Sequence, residues 1–163
     1  MLWGRSLDKA VKSQMISDVP IGTFLSGGID SSIVSLISNK QKHIKAFNIS
    51  FSDKEFDESE IAKNFAKNNN IDFNKKLFDG IDLKQLLKDN IAAYTEPFSD
   101  YSSLPTLLLS KFAKTKVTVA LSGDGGDELF YGYDRNRKYG RQADLLTSSK
   151  FNKIYKILKS KLT

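Results

Sequence analysis

The apolar run Val19–Leu25 stops abruptly at Ser26-Gly27-Gly28, and Ile29-Asp30-Ser31-Ser32 then leads into Ile33, Val34, Leu36 and Ile37. An apolar run, a glycine turn and a helical repeat of apolar residues read as strand, tight turn and helix N-terminus. Glycine lets a backbone approach a ligand closely and adopt positive φ. A helix N-terminus offers unpaired N–H groups and a partial positive charge, which together suit an anion. The hydroxyls of Ser26, Ser31 and Ser32 add polar groups. The segment is shaped for phosphate. It lacks the lysine of a G-x-x-x-x-G-K-[ST] loop and the spacing of a G-x-G-x-x-G fingerprint. It carries an acid instead, Asp30. A carboxylate repels phosphate unless a cation lies between them, and Mg²⁺ bridges carboxylates to substrate phosphates. The loop therefore points to a magnesium–pyrophosphate site.

A second loop has the same build. The β-branched run Val117–Leu121 enters Ser122-Gly123-Asp124-Gly125-Gly126-Asp127-Glu128, with three glycines and three acids in seven residues. Such a segment cannot be core. Its carboxylates can hold Mg²⁺, position an amine nucleophile or accept its proton. Two loops at the carboxyl ends of strands are where an open parallel sheet binds ligands.

Pattern and turn residues suggest strands over 20–25, 44–51, 71–78 and 117–121. Helices are expected over 30–40, 57–69, 82–93 and 103–114, with more after 127. The alternation implies an α/β fold, a doubly wound parallel sheet with helices on both faces.

Ser26-Gly27-Gly28-Ile29-Asp30-Ser31 resembles the pyrophosphate loop of the ATP pyrophosphatase (PP-loop) superfamily, whose fold is adenine-nucleotide α-hydrolase-like. Val119-Ala120-Leu121-Ser122-Gly123-Asp124-Gly125-Gly126-Asp127-Glu128-Leu129-Phe130 is similar to the synthetase domain of glutamine-hydrolysing asparagine synthetases. Further landmarks agree: Asp18-Val19-Pro20-Ile21-Gly22, Phe56-Asp57-Glu58, Glu96-Pro97-Phe98 and Ser102–Thr106. The resemblance implies an ATP-dependent, amide-forming ligase domain over residues 1–140. ATP would place its pyrophosphate on Ser26–Ser32, including Gly27, Gly28, Asp30 and Ser31. Its adenine end would meet Leu25, Ile49 and the Ser122-Gly123 backbone. Asp30 and Asp127 would hold Mg²⁺. Asp124 would orient or deprotonate ammonia, with Asp127 and Glu128 beside it as catalytic acids. The substrate carboxylate would be aspartate, activated as an acyl-adenylate and then amidated to asparagine. Alternatives on this scaffold are an amidotransferase or β-lactam-synthetase-like enzyme for another carboxylate, or a nucleotide-binding remnant.

Two departures stand out. Tyr131-Gly132-Tyr133-Asp134-Arg135-Asn136 replaces the family's G-G-Y-x-R-[YH], and Ser50 stands where glycine is common. The family's glutaminase domain uses an N-terminal cysteine, and this chain has none. Its ammonia would come from a glutaminase domain or subunit absent from the chain. The family's synthetase domain also continues further, so a fragment is expected.

At 163 residues the chain suffices for one core. The absence of cysteine excludes disulfides and Cys-based zinc sites, and fits a reducing, cytoplasmic setting. His43 is the only histidine, which excludes a multi-His metal site within the chain. No apolar stretch approaches a membrane span. The net charge of +6 is a tail property: residues 135–163 hold nine Lys/Arg and one acid. Phe151, Ile154, Tyr155, Leu158 and Leu162 follow helical spacing, so 141–163 reads as a basic amphipathic helix. Its apolar face is expected to pack on protein, with neither nucleic acid nor membrane as partner.

Overall fold

A computed structural model describes residues 2–52, 57–130 and 132–133. The chain divides into two compact units, residues 1–123 and 124–163. In the first, α1 (Leu2–Gln14) precedes β1 (Ile21–Phe24), α2 (Ile29–Gln41), β2 (Lys45–Phe51), α3 (Ser59–Asn68) and β3 (Asp72–Phe78). Then come α4 (Leu83–Ala93), α5 (Ser103–Ala113) and β4 (Val119–Leu121). The second unit contributes α6 (Gly126–Phe130). The expected helix over 141–163 lies outside the described residues, as do Phe56 and much of the 131–136 departure.

The strands form one sheet in the order β3-β2-β1-β4, and every pairing is parallel. The chain steps from β1 outward to β2 and β3, then returns to place β4 on the other side of β1. The reversal falls between β1 and β4, which is where a doubly wound sheet opens a crevice.

Successive residues of β2 bury against opposite faces, as a strand's period of two requires. Ala46 joins Leu25, Ile44, Ala62, Ala66 and Ile71 on one side. Phe47 joins Ala113 and Val117 on the other, with Phe24, Leu109 and Phe112 against them. Helix α3 supplies Ala62 and Ala66, and α5 supplies Leu109, Phe112 and Ala113, so helices cover both faces. Phe47 is fully buried and meets Phe112 edge-on at 5.5 Å. Burying such a side chain stabilises by about 1.5–3 kcal/mol.

Local chemistry sets the element ends. The Asp82 carboxylate accepts from the Gln85 N–H at 3.1 Å and starts α4. Asn70, at φ 52°, turns the chain out of α3 in the left-handed region that Asn tolerates. Asn39 then ties the α2 end to this turn, donating to the Asn69 carbonyl at 3.1 Å and accepting from Ile44 N–H at 3.2 Å.

Two elements differ from the sequence expectation. Helix α1 was not anticipated, although Leu7, Val11 and Met15 lie four residues apart; Val11 is buried and Met15 packs on the Leu25 cluster. Strand β4 begins at Val119 instead of Val117. The Val117 N–H returns to the Ala113 carbonyl at 2.9 Å, and Thr118 and Val119 both donate to the Pro20 carbonyl.

Gly22 is required by the close β1–β2 approach. A Cβ there would lie 2.7 Å from both the Lys45 carbonyl oxygen and the Phe47 ring. Gly22→Ala is expected to lower unfolding free energy by about 1–3 kcal/mol, read from the denaturant midpoint. A second expectation concerns pH. The Lys45 ammonium bonded to Asp72 at 2.7 Å, ahead of a smaller bond from Asn74, holds the Asp72 carboxyl below the usual carboxylate range. A folded pKa below the unfolded one gives stability that is present above the unfolded pKa and lost as pH falls through the folded one. Asp72→Asn should therefore lower stability slightly at neutral pH, the pair being half-exposed. The difference from wild type should vanish in acid, as measured by denaturation midpoints across pH.

Candidate active site

The loop between β1 and α2 is closed by Ser31. This side chain, 8% exposed, accepts from the Ser26 N–H at 3.2 Å and donates to the Gly28 carbonyl at 3.2 Å. Its oxygen also lies 2.9 Å from the Ser26 hydroxyl, which accepts from the Gly28 N–H at 3.2 Å. The hydroxyls expected as ligand donors thus shape the loop first: Ser31 is buried, and its bonds run inward. The first helical amide with a partner is that of Ser32, which donates to the Gly28 carbonyl at 3.1 Å. The N–H groups of Ile29, Asp30 and Ser31 have no backbone acceptor among the described residues, so the N-terminus of α2 keeps the free donors an anion needs. Asp30 sits in that first turn.

Two glycines bring neighbouring backbone against this loop. Gly27 has φ 105°, and a Cβ there would stand 3.1 Å from the Glu58 carbonyl oxygen and 3.3 Å from the Ala62 nitrogen. The loop therefore rests on the first turn of α3. Gly123, just past β4, leaves no room either: its Cβ would be 2.6 Å from the Ser31 nitrogen and 2.9 Å from the Asp30 carbonyl carbon. The end of β4 and the start of α2 meet backbone to backbone across the β1–β4 switch. Leu25 is buried at the loop's entrance. Ile49 and Ser122 are half-buried, on β2 and just beyond β4.

Asp57 accepts from the Ser59 N–H at 2.9 Å at the start of α3. The Ser59 hydroxyl, then its backbone N–H, hold the Asp57 carboxyl below the usual carboxylate range. That geometry is a helix-start role. Lys75 reaches the same turn, donating to the Ser59 hydroxyl at 3.2 Å and pairing with Glu60 at 3.4 Å.

In the second unit, Asp124, Asp127 and Glu128 are exposed. Asp127 and Glu128 occupy the first turn of α6, and Gly125 takes φ 88° just before it. The Tyr133 hydroxyl donates to the Glu128 carboxylate, and the Gly132 N–H donates to the Asp127 carbonyl at 3.0 Å. Among the described residues no group of three or more His, Cys, Asp or Glu could hold a metal by itself. A cation shared between one carboxylate and phosphate oxygens fits this donor set better than a protein-only cage.

Asn48 was overlooked in the sequence. It lies in β2, is 5% exposed, and donates from Nδ2 to the Leu25 carbonyl at 2.8 Å. The signal was present, since Asn48 stands between apolar Ala46-Phe47 and Ile49 at the centre of the strand.

A glycine-turned helix N-terminus at the switch point of a parallel sheet puts the chain in the class of doubly wound α/β folds. The NH3-dependent NAD synthetase from Campylobacter jejuni shares this fold, with a TM-score of 0.50 and 19% identity over 80% of this chain and 58% of that one. Residues 3–161 match asparagine synthase, and the chain belongs to that family. It is 38% identical over 156 residues, 94% of its length, to a putative glutamine-hydrolysing asparagine synthetase 2 of Methanocaldococcus jannaschii. It is 39% identical over 130 residues, 79% of its length, to the glutamine-hydrolysing asparagine synthetase 1 of Bacillus subtilis. The chain spans 30% and 21% of the length of these two relatives. No helix among the described residues is long and apolar enough to cross a membrane.

Gly123→Ala is expected to push the β4 exit off the first turn of α2, because both contacts are backbone. The expected loss is about 1–3 kcal/mol of stability, with faster amide exchange concentrated at residues 32–35, the first hydrogen-bonded amides of α2. Hydrogen-exchange mass spectrometry of wild type and variant checks it.

Proposed function

We propose that this chain is the ATP-using part of an amide-forming carbon–nitrogen ligase. The supporting observation is the Ser31-closed loop, which presents the free N–H groups of α2 at the β1–β4 switch. ATP binds with its β- and γ-phosphates on Ser26–Ser32 and its base against Leu25, Ile49 and the Ser122-Gly123 backbone. Asp30 would hold Mg²⁺, which would supply charge neutralisation for the leaving pyrophosphate. Asp127 is the second proposed ligand. A carboxylate oxygen of the substrate, aspartate in this proposal, attacks the α-phosphorus. The bond from that phosphorus to the bridging oxygen breaks, and pyrophosphate leaves. Ammonia, delivered by a glutaminase domain or subunit outside this chain, attacks the acyl carbon. The bond to AMP breaks, and the surplus proton passes to a carboxylate. Asp124 is the proposed acceptor, with Glu128 beside it in sequence. Positioning and charge neutralisation carry most of such catalysis.

Calorimetric titration with Mg-ATP tests the first step. Wild type should bind, removal of Mg²⁺ should abolish binding, and Asp30→Ala should weaken it by about tenfold or more, the worth of one charge-assisted contact. L-aspartate-dependent exchange of labelled pyrophosphate into ATP tests the second. A folded wild-type chain that binds no Mg-ATP would sink the proposal, and exchange stimulated by another carboxylate in place of aspartate would reassign the substrate.

A further inference from the structure

The ladder between β1 and β2 stops one rung short of where its register would carry it. Its last pair is Phe24↔Phe47. Leu25 still donates its N–H to the Phe47 carbonyl at 2.9 Å. In a parallel pair the same residue then accepts from the residue two further along the neighbouring strand. Here that bond would run from the Ile49 N–H to the Leu25 carbonyl, and it is not made among the described residues. The Leu25 carbonyl is taken by Asn48 Nδ2 at 2.8 Å instead. By the same alternation, the N–H and C=O of Ile49 both point toward β1, beyond the end of that strand. Asn48 holds this arrangement from a buried position in which its own Oδ1 has no partner among the described residues. An unmet buried acceptor is unfavourable, so packing alone does not account for Asn at this position.

We propose that Asn48 is a positioning residue for base recognition. By occupying the Leu25 carbonyl, it keeps the Ile49 N–H open to an acceptor on the heterocycle of a bound nucleoside triphosphate. The role rests on the nucleotide reading above and adds a residue that does not itself touch the ligand. It separates two parts of the site: the phosphates are held by the α2 N-terminus, and the base by a backbone edge whose availability Asn48 controls.

The test compares affinities of the full chain for Mg-ATP and for Mg-pyrophosphate, which has no base. Asn48→Val keeps similar volume and β preference without donor or unmet acceptor, so it should fold; Asn48→Ala is the second variant. Both should bind Mg-ATP at least about tenfold more weakly while pyrophosphate affinity stays within about twofold. Hydrogen exchange gives a readout without ligand. In wild type the Ile49 amide should exchange faster than that of Phe47. In the variants it should become protected as it takes the released Leu25 carbonyl. Ser35→Ala, which loses a buried bond to Thr23 of 2.9 Å but leaves Leu25 alone, should not change the ratio of the two affinities. Equal losses for ATP and pyrophosphate, an unchanged ATP affinity, or an Ile49 amide equally protected in all forms overturns the Asn48 role alone. A wild-type chain that binds neither ligand overturns the nucleotide reading, and this role with it.

Discussion

At Gly123 the chain leaving β4 runs against the first turn of α2 with 2.6 Å between a would-be Cβ and the Ser31 nitrogen. At Gly27 the loop leaving β1 lies closely on the first turn of α3, with 3.1 Å from a would-be Cβ to the Glu58 carbonyl oxygen. Three backbone segments are thereby packed with no side chains between them. Backbone contacts of this kind do not yield, because relieving them means moving a helix or a strand. The start of α2 is fixed by its neighbours as well as by its own turn, and its free N–H groups are held in place before any ligand arrives. Such preorganisation lets fixed dipoles act on charge without reorganising.

The sheet beneath supplies the rigidity. Ala46 and Phe47, adjacent in β2, anchor clusters on opposite faces, so this strand cannot slip by one residue without exchanging a fully buried Phe for an Ala. Gly22 lets β1 approach Lys45 and the Phe47 ring, which fixes the distance between the strand that feeds the loop and the strand that carries Asn48 and Ile49. Errors in the β1–β2 pairing would be passed directly to both ends of the proposed nucleotide site.

How much was legible depended on whether local chemistry decided the outcome. The β1–α2 and β4 loops were readable because glycine next to an apolar run has few structural uses, and the parallel sheet followed from alternation. The α4 start was readable because Asp82 caps it locally. Helix α1 was missed because its value comes from contact with the rest of the fold, through buried Val11 and through Met15 just past its end. The true start of β4 depends on Thr118 and Val119 reaching the Pro20 carbonyl, a contact between residues far apart in sequence. The inward bonding of Ser31 was not legible either, since G-G-I-D-S-S states which hydroxyls exist and not where they point.

Polarity along one face of the sheet carries a further lesson. On the face shared by α3, β2 runs from Ala46 to Asn48 to Ser50. Along β2 the apolar member comes first and the polar ones follow. Asn48 and Ser50 are nonetheless buried, so their polarity is not a response to solvent. Burying polar groups weakens a core unless each finds a partner. Their concentration at the end of the sheet where α2 begins follows if that end must present hydrogen-bonding groups in fixed positions. The start of β2 has no such duty, and Ala46 packs there in the apolar cluster with Leu25 and Ile44. β2 thus serves as core at one end and as part of the proposed nucleotide site at the other, and on this face the change occurs between Ala46 and Asn48.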